Sequence, residues 1–316
     1  MAVFQALGGV ASIFLIVIVG FVAAKTGRFH RDLEGGLAKL SSAYAIPALI
    51  FHNTVTRLSP AFLSENLGVF VFLPFGTILL GYGLARFLGS ATRLPAEQRG
   101  PMSALFSMSN VVFIGVPVCS AVFGSWATPY VISYLPANTI LFWTIGNLGM
   151  MRGRRLSGRQ MLANVFSPPL LAFIAGMPFV FFDWPLPGFV VDSVGLLGGM
   201  GTPAALLTVG GVLSRADRQL WKLSKFVGLT LIGRSLVMPL MMFAACRLTG
   251  APPQVTLVYT TISCMPVMSQ AVLQARKLEA SAEQVAHAFA VTTLCTMVCV
   301  PIVVTLLRIG VPYAVS

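Results

Sequence analysis

Two hydrophobic stretches of this chain are broken in the same way. One reads Ser109-Asn110-Val111-Val112-Phe113-Ile114-Gly115-Val116-Pro117-Val118, the other Ser263-Cys264-Met265-Pro266-Val267-Met268-Ser269-Gln270. Each sets a proline and several polar side chains in the middle of a segment apolar enough to lie in a bilayer. A spanning helix with an interrupted ladder leaves backbone groups without partners, at several kcal/mol each in hydrocarbon. Such breaks persist only where other protein or a water-filled cavity covers them. A matched pair in corresponding halves of a chain points to a transporter's substrate site.

Composition agrees with the bilayer. Of 316 residues, 56% are hydrophobic and 9% charged, with a mean hydropathy of +0.86. A soluble domain carries roughly 25% charged residues. A hydrocarbon core of ~30 Å takes about 20 apolar residues per helix. The expectation is an all-α membrane protein with ten transmembrane helices, near 4–24, 37–56, 66–89, 101–122, 128–150, 164–182, 187–212, 226–246, 254–275 and 284–307. The first is expected to be a retained helix, since it lacks a basic leader and a cleavage site. A capping box is expected at Ser281-Ala282-Glu283-Gln284, opening the last helix.

The net charge of +12 lies in short loops between apolar stretches. It therefore reads as topology and contact with anionic membrane lipid, not as nucleic-acid binding. Alternate loops hold Lys25, Arg28, Arg31 and Lys39; Arg86, Arg93 and Arg99; Arg152, Arg154, Arg155 and Arg159; Arg215, Arg218, Lys222 and Lys225; and Arg276 and Lys277. These are 17 of the 21 basic residues. Arg57, Arg247 and Arg308 fall on the other side, and Arg234 inside a span. The positive-inside rule then puts both termini on the outer (periplasmic) side of a plasma (inner) membrane. The five cysteines all lie in apolar stretches without zinc-ligand spacing or a disulfide framework, so no metal or cofactor is expected.

Ten spans divide into five plus five. An odd number per half turns the second half upside down, giving an inverted repeat. Residues 1–150 form the first repeat, 151–163 a basic cytoplasmic linker and 164–316 the second repeat. Pro47 in span two is matched by Pro203 in span seven, and Pro117-Val118-Cys119-Ser120 by Pro266-Val267-Met268-Ser269.

A helix that restarts at a proline offers free N–H groups and the positive end of its dipole. Two such ends facing each other can hold a carboxylate without a charged side chain. Asn110, Gly115, Pro117 and Ser120 at one break, Pro266, Ser269 and Gln270 at the other, and Asn138 in span five are the candidate binding residues. Arg234 joins them, because an intramembrane arginine costs ~2.5–3.5 kcal/mol and requires a partner. That partner is a substrate carboxylate, backbone carbonyls or a lipid phosphate. Pro47 and Pro203 are candidate gating or helix-break positions; the glycines beside Pro203 suit close helix packing equally well. His52 and His287 are the histidines open to a proton relay. No Asp or Glu falls in the core of any span, so H⁺ or Na⁺ coupling stays open, Na⁺ having only carbonyls and hydroxyls to bind. Assembly as a homodimer is open too.

Asn110-Val111-Val112-Phe113-Ile114-Gly115-Val116-Pro117 resembles the Asn-x-x-x-x-Gly-x-Pro signature of the auxin efflux carrier family. Met265-Pro266 with Gln270-Ala271, then Thr292-Thr293 and Pro301, resembles that family's last two helices, and Ala45-Ile46-Pro47-Ala48-Leu49-Ile50-Phe51 its second. The likeness spans nearly the whole chain, and the compact length looks bacterial. It implies ten helices in an inverted repeat, with the fourth and ninth unwound and crossing at mid-membrane. It also implies a bundle of helices one, two, six and seven against which the rest moves. Plant members export auxin; bacterial members are associated with malonate, malate and similar carboxylates. One departure is Gln270, where the family often has Asn, which bears on substrate size.

The leading expectation is a secondary carrier of small organic anions working by alternating access. A sodium-coupled bile-acid-type symporter is similar in architecture, but its acidic Na⁺ ligands are missing. An intramembrane enzyme would need clustered nucleophiles, histidines or carboxylates at one depth, and a channel a charged ring or filter motif. Neither pattern is present, and a receptor's long recognition loops are missing as well.

Overall fold

The computed structural model describes residues 2–151, 157–214, 223–278 and 280–310. The basic linker's Arg152, Arg154 and Arg155, and the loop with Arg215, Arg218 and Lys222, lie outside these. The described residues are helical almost throughout, with α1 (Ala2–Lys25), α2 (31–57), α3 (Pro60–Ala91), α4 (Ala96–Ser107) and α5 (Val111–Phe123). After them come α6 (128–150), the short α7 (Gly158–Val165), α8 (Pro168–Phe181), α9 (Gly188–Ser214) and α10 (Lys225–Leu248). The chain closes with α11 (Pro253–Ser263), α12 (Ser269–Leu278) and α13 (Ala282–Gly310). Helix occupies every one of the ten expected stretches. Among the described residues, α3, α9, α10 and α13 are each long and apolar enough to cross a membrane. Their outer faces carry bare apolar side chains such as Phe72, Leu80, Leu196 and Val298, as a helix surrounded by lipid requires.

Local chemistry sets the helix starts. Ser59 Oγ accepts from Phe62 N at 3.2 Å and Ser224 Oγ from Val227 N at 3.3 Å, each replacing a bond that the first turn lacks. Proline stands in the first turn of α3, α8 and α11, where its missing N–H costs nothing. The expected capping box does not form. Gln284 Oε1 instead takes its bond from Ser224 Oγ at 2.7 Å, tying α13 to the start of α10, and Ser281 has φ +52°.

Several helices are widened mid-course. α2 passes through a π-turn at Ser41–Ala45, α6 at Phe142–Gly146 and α10 at Gly233–Val237. In α2 the turn runs straight into Pro47, and in α10 into Pro239. The widened turn makes room for the proline ring and for the carbonyl that the ring leaves without an N–H partner.

Two packing groups result. In one, α1 lies along α9, and α2 packs on α8 and α9. The α1–α9 contact is backbone to backbone: a Cβ on Gly20 would strike Leu207, and one on Gly210 would strike Val17 and Phe21. The other group holds α3, α4, α5, α6, α10, α11 and α13 around a large apolar core, into which Phe14 and Val17 of α1, Val180 of α8 and Leu206, Val209 and Leu213 of α9 also reach. A second, small cluster joins them, with Ile46, Ile50 and Ala205 from the first group against Val112 and Leu135 from the second.

The α1–α9 packing generates a stability prediction. Gly210→Leu should lower the thermal unfolding midpoint in detergent, since overpacking costs ~1–3 kcal/mol. Gly228→Leu, with no atom within 4 Å of its new Cβ, should not.

Candidate functional site

The two breaks lie against each other. Ser109 and Val267 form an isolated antiparallel bridge, and Asn110 N donates to Pro266 O at 2.9 Å. Strand-like pairing supplies partners where the helical ladder stops. Residues 108–110 separate α4 from α5, and 264–268 separate α11 from α12.

Neighbouring helices supply the other partners. Asn138 on α6 handles both backbone groups of Ser109: its Oδ1 accepts from Ser109 N at 2.9 Å, and its Nδ2 donates to Ser109 O at 3.0 Å. Thr292 on α13 serves the other break, its Oγ1 accepting from Val267 N at 3.2 Å. Thus each break is held by a polar side chain from the helix that follows its own broken pair.

Arg234 is 1% exposed. Its Nε donates to Met265 O at 2.9 Å; its Nη2 donates to Ser109 Oγ at 2.6 Å, Ser263 O at 2.7 Å and Met265 O at 2.7 Å; and its Nη1 donates to Phe106 O at 3.4 Å. Of the three partners open from the sequence, backbone carbonyls from both breaks are the ones it meets. The π-turn that contains it seats Gly233 directly on the Phe106 ring.

Asn110 caps α5, its Oδ1 accepting from Phe113 N at 3.3 Å. Its Nδ2 is buried and has no hydrogen-bond partner among the described residues. Gly115 is buried beside Met265, and Pro117 is buried in the first turn of the regular part of α5. Pro266 is buried in the other break, and Ser120, Ser269 and Gln270 are half-buried. The structure therefore gathers Asn110, Gly115, Pro266, Asn138 and Arg234 around the crossing.

Pro47 and Pro203 lie elsewhere. Pro47 is half-buried after its π-turn; Pro203 is exposed, early in the Gly201–Ser214 half of α9. Their neighbourhoods do meet: Ser41 Oγ donates to Gly201 O at 3.1 Å, and a Cβ on Gly201 would touch Ile46 at 3.2 Å. A Cβ on Gly198 would sit 2.8 Å from the Leu49 backbone. The glycines near Pro203 thus serve close packing. His52 rests its ring on Gly195.

Three contributors were given no role by the sequence reading. Ser109, Thr292 and the pair Gln274 Nε2–Asn147 Oδ1 (2.6 Å) are ordinary residue types whose partners are remote in the chain. Two cavities lie away from the breaks. One of about 250 Å³ is lined by Thr56, Asp183 and Trp184, and an apolar one of about 230 Å³ lies between α1, α9 and α13.

The family described as membrane transport protein matches this chain over residues 5–157 and again over 152–304. The chain belongs to that family, the auxin efflux carriers. It is a multi-pass membrane transport protein and not an enzyme. It is also similar to a protein described as an uncharacterized transporter from Methanothermobacter thermautotrophicus, 28% identical over 209 residues, which are 65% of this chain and 67% of the relative. For this member of the family, the hydrogen-bond pattern gives a graded prediction. Thr292→Val removes one buried partner and should cost about 1 kcal/mol, whereas Asn138→Leu strips both groups of Ser109 and should cost about twice that. Thermal unfolding of the two variants in detergent checks the order.

Proposed function

We propose that this transporter carries a small organic anion, a mono- or dicarboxylate such as malonate, malate or an auxin-like acid, by alternating access around the crossing of the two breaks. The fold is read as ten spans in a five-plus-five inverted repeat, residues 1–150 and 164–316 about the linker 151–163, with both termini outside. Support for the repeat comes from the matched duties of Asn138 and Thr292, and from the contact between the irregular parts of α2 and α9.

The observation that carries the anion reading is the amide of Asn110. Its oxygen is committed to the cap of α5, so the NH₂ is the part left to a ligand, at the positive end of a helix dipole. Ser269 and Gln270 open α12 on the other side of the crossing. The charge of Arg234 is taken up by the carbonyls it bonds, so the attraction for an anion is left to the two helix N-termini.

Movement would take α3–α6 and α10–α13 past α1, α2, α8 and α9. The small apolar cluster of Ile46, Ile50, Ala205, Val112 and Leu135 would be the sliding contact. In each end state, a carboxylate bound at the breaks would face one side of the membrane.

The test is uptake of labelled malonate, malate and indole-3-acetate by proteoliposomes containing the purified protein. Saturable uptake of one acid is expected. Asn110→Asp keeps the capping oxygen and replaces the donor with a negative charge. It should leave the folded protein intact while cutting uptake at least tenfold, the loss of about 1.4 kcal/mol of binding. Gln270→Ala should weaken uptake more mildly. Normal uptake by Asn110→Asp at matched protein levels would remove this residue from the site.

A further inference from the structure

We infer that the guanidinium of Arg234 is a tethered cation for the two helix breaks, holding the place that a coupling metal ion takes in carriers whose unwound carbonyls and half-helix C-termini ligate Na⁺. The geometry is that of oxygens gathered on a positive centre. Ser109 Oγ, Ser263 O and Met265 O converge on one nitrogen, Nη2, at 2.6, 2.7 and 2.7 Å. That nitrogen has two hydrogens for three oxygens, so at least one hydrogen is shared and the attraction is of charge as much as of hydrogen bonding. The oxygens come from both breaks, one from the first and two from the second.

The charges balance. α4 ends at Ser107 and α11 at Ser263, and each C-terminus carries roughly −0.5 of an elementary charge. Phe106 O belongs to the last turn of the first helix, and Ser263 O ends the second. Two such ends amount to about one negative charge, which one guanidinium matches. The π-turn Gly233–Val237 is the local device that sets Arg234 at this point, and widened turns of this kind favour functional positions.

Every partner of Arg234 belongs to the helix group that carries the breaks. The cation therefore stays with the crossing in any rearrangement of the two groups. An ion that arrives and leaves with each cycle couples transport to its gradient; a tethered one does not. This consequence rests on the carrier reading above, and it is that neither the integrity of the crossing nor uptake requires Na⁺.

The test follows thermal unfolding of the purified full chain in detergent, which needs no knowledge of the substrate. Wild type is compared in NaCl and in choline chloride of equal ionic strength, with Arg234→Met and Arg234→Lys beside it. The expected result is a wild-type midpoint indifferent to Na⁺. Arg234→Met should lose several degrees, with Arg234→Lys between the two. Packing alone predicts the reverse order, because an apolar side chain is the better occupant of a buried site. Low millimolar guanidinium should also raise the midpoint of Arg234→Met selectively over wild type, by mass action at the vacated position. A wild-type midpoint that rises with Na⁺ over choline would overturn the inference. So would Arg234→Lys no more stable than Arg234→Met. If Arg234→Met yields no folded protein, the Na⁺ comparison on wild type and a wild-type-like Arg234→Lys still decide. In the uptake assay, Na⁺-stimulated transport sinks this inference alone, while absence of any acid uptake sinks only the substrate reading.

Discussion

A peptide group in hydrocarbon has no water to bond, and the architecture around the crossing is an answer to that constraint. Two interrupted ladders would leave several N–H and C=O groups unsatisfied in mid-membrane. The bridge between Ser109 and Val267 answers some of them, and Asn138, Thr292 and Arg234 answer others. Each of these side chains is expensive in the bilayer on its own. Together with the breaks they become cheap, because each fills a vacancy that the chain itself opened. The NH₂ group of Asn110 is among the buried donors left without a partner in the described residues.

The same constraint divides the molecule mechanically. The bonds that hold the breaks run among α4, α5, α6, α10, α11 and α13. The other group is locked by shape, with the backbones of α1 and α9 in contact at Gly20 and Gly210. Between the groups lie apolar contacts, the small cluster of Ile46, Ile50, Ala205, Val112 and Leu135 and the α1 and α9 side chains that reach into the large core. Apolar contacts are non-directional, unlike the hydrogen bonds that hold the breaks.

The sequence made the breaks legible because proline beside Asn or Gln in an apolar stretch has few other meanings. It also made the helical stretches legible, through hydropathy and the alternation of basic loops. Asn138 was visible as a polar residue in a span, and Arg234 as a charge in need of a partner. Which partner Arg234 chose was not visible, since carbonyls carry no sequence signature. Thr292 and Ser109 were hidden for a related reason: hydroxyls are common in membrane helices, and their meaning depends on what lies across from them. The π-turns at 41–45, 142–146 and 233–237 also left no mark beyond a following proline in two cases. The capping box failed because Gln284 found a better-placed donor in Ser224, a residue 60 positions away.

The irregular positions of α2 and α9 extend the argument to the other group. Ser41 and Gly201 join the widened α2 to α9 at its interruption at Met200, as Ser109 and Val267 join two broken segments, yet the outcomes differ. In α2 and α9 the distortion is small enough for π-turn and glycine to absorb, and Gly198 and Gly201 use the space to bring the backbones close. Among the described residues no arginine or lysine hydrogen-bonds at that junction, where α2 continues through its π-turn and α9 is interrupted at Met200 alone. At the crossing the helices end outright, the carbonyls of Phe106, Ser263 and Met265 are released, and a cation has to be supplied. The degree of interruption in each pair of helices thus decides whether the pair becomes a tightly packed frame or a centre that holds a buried charge.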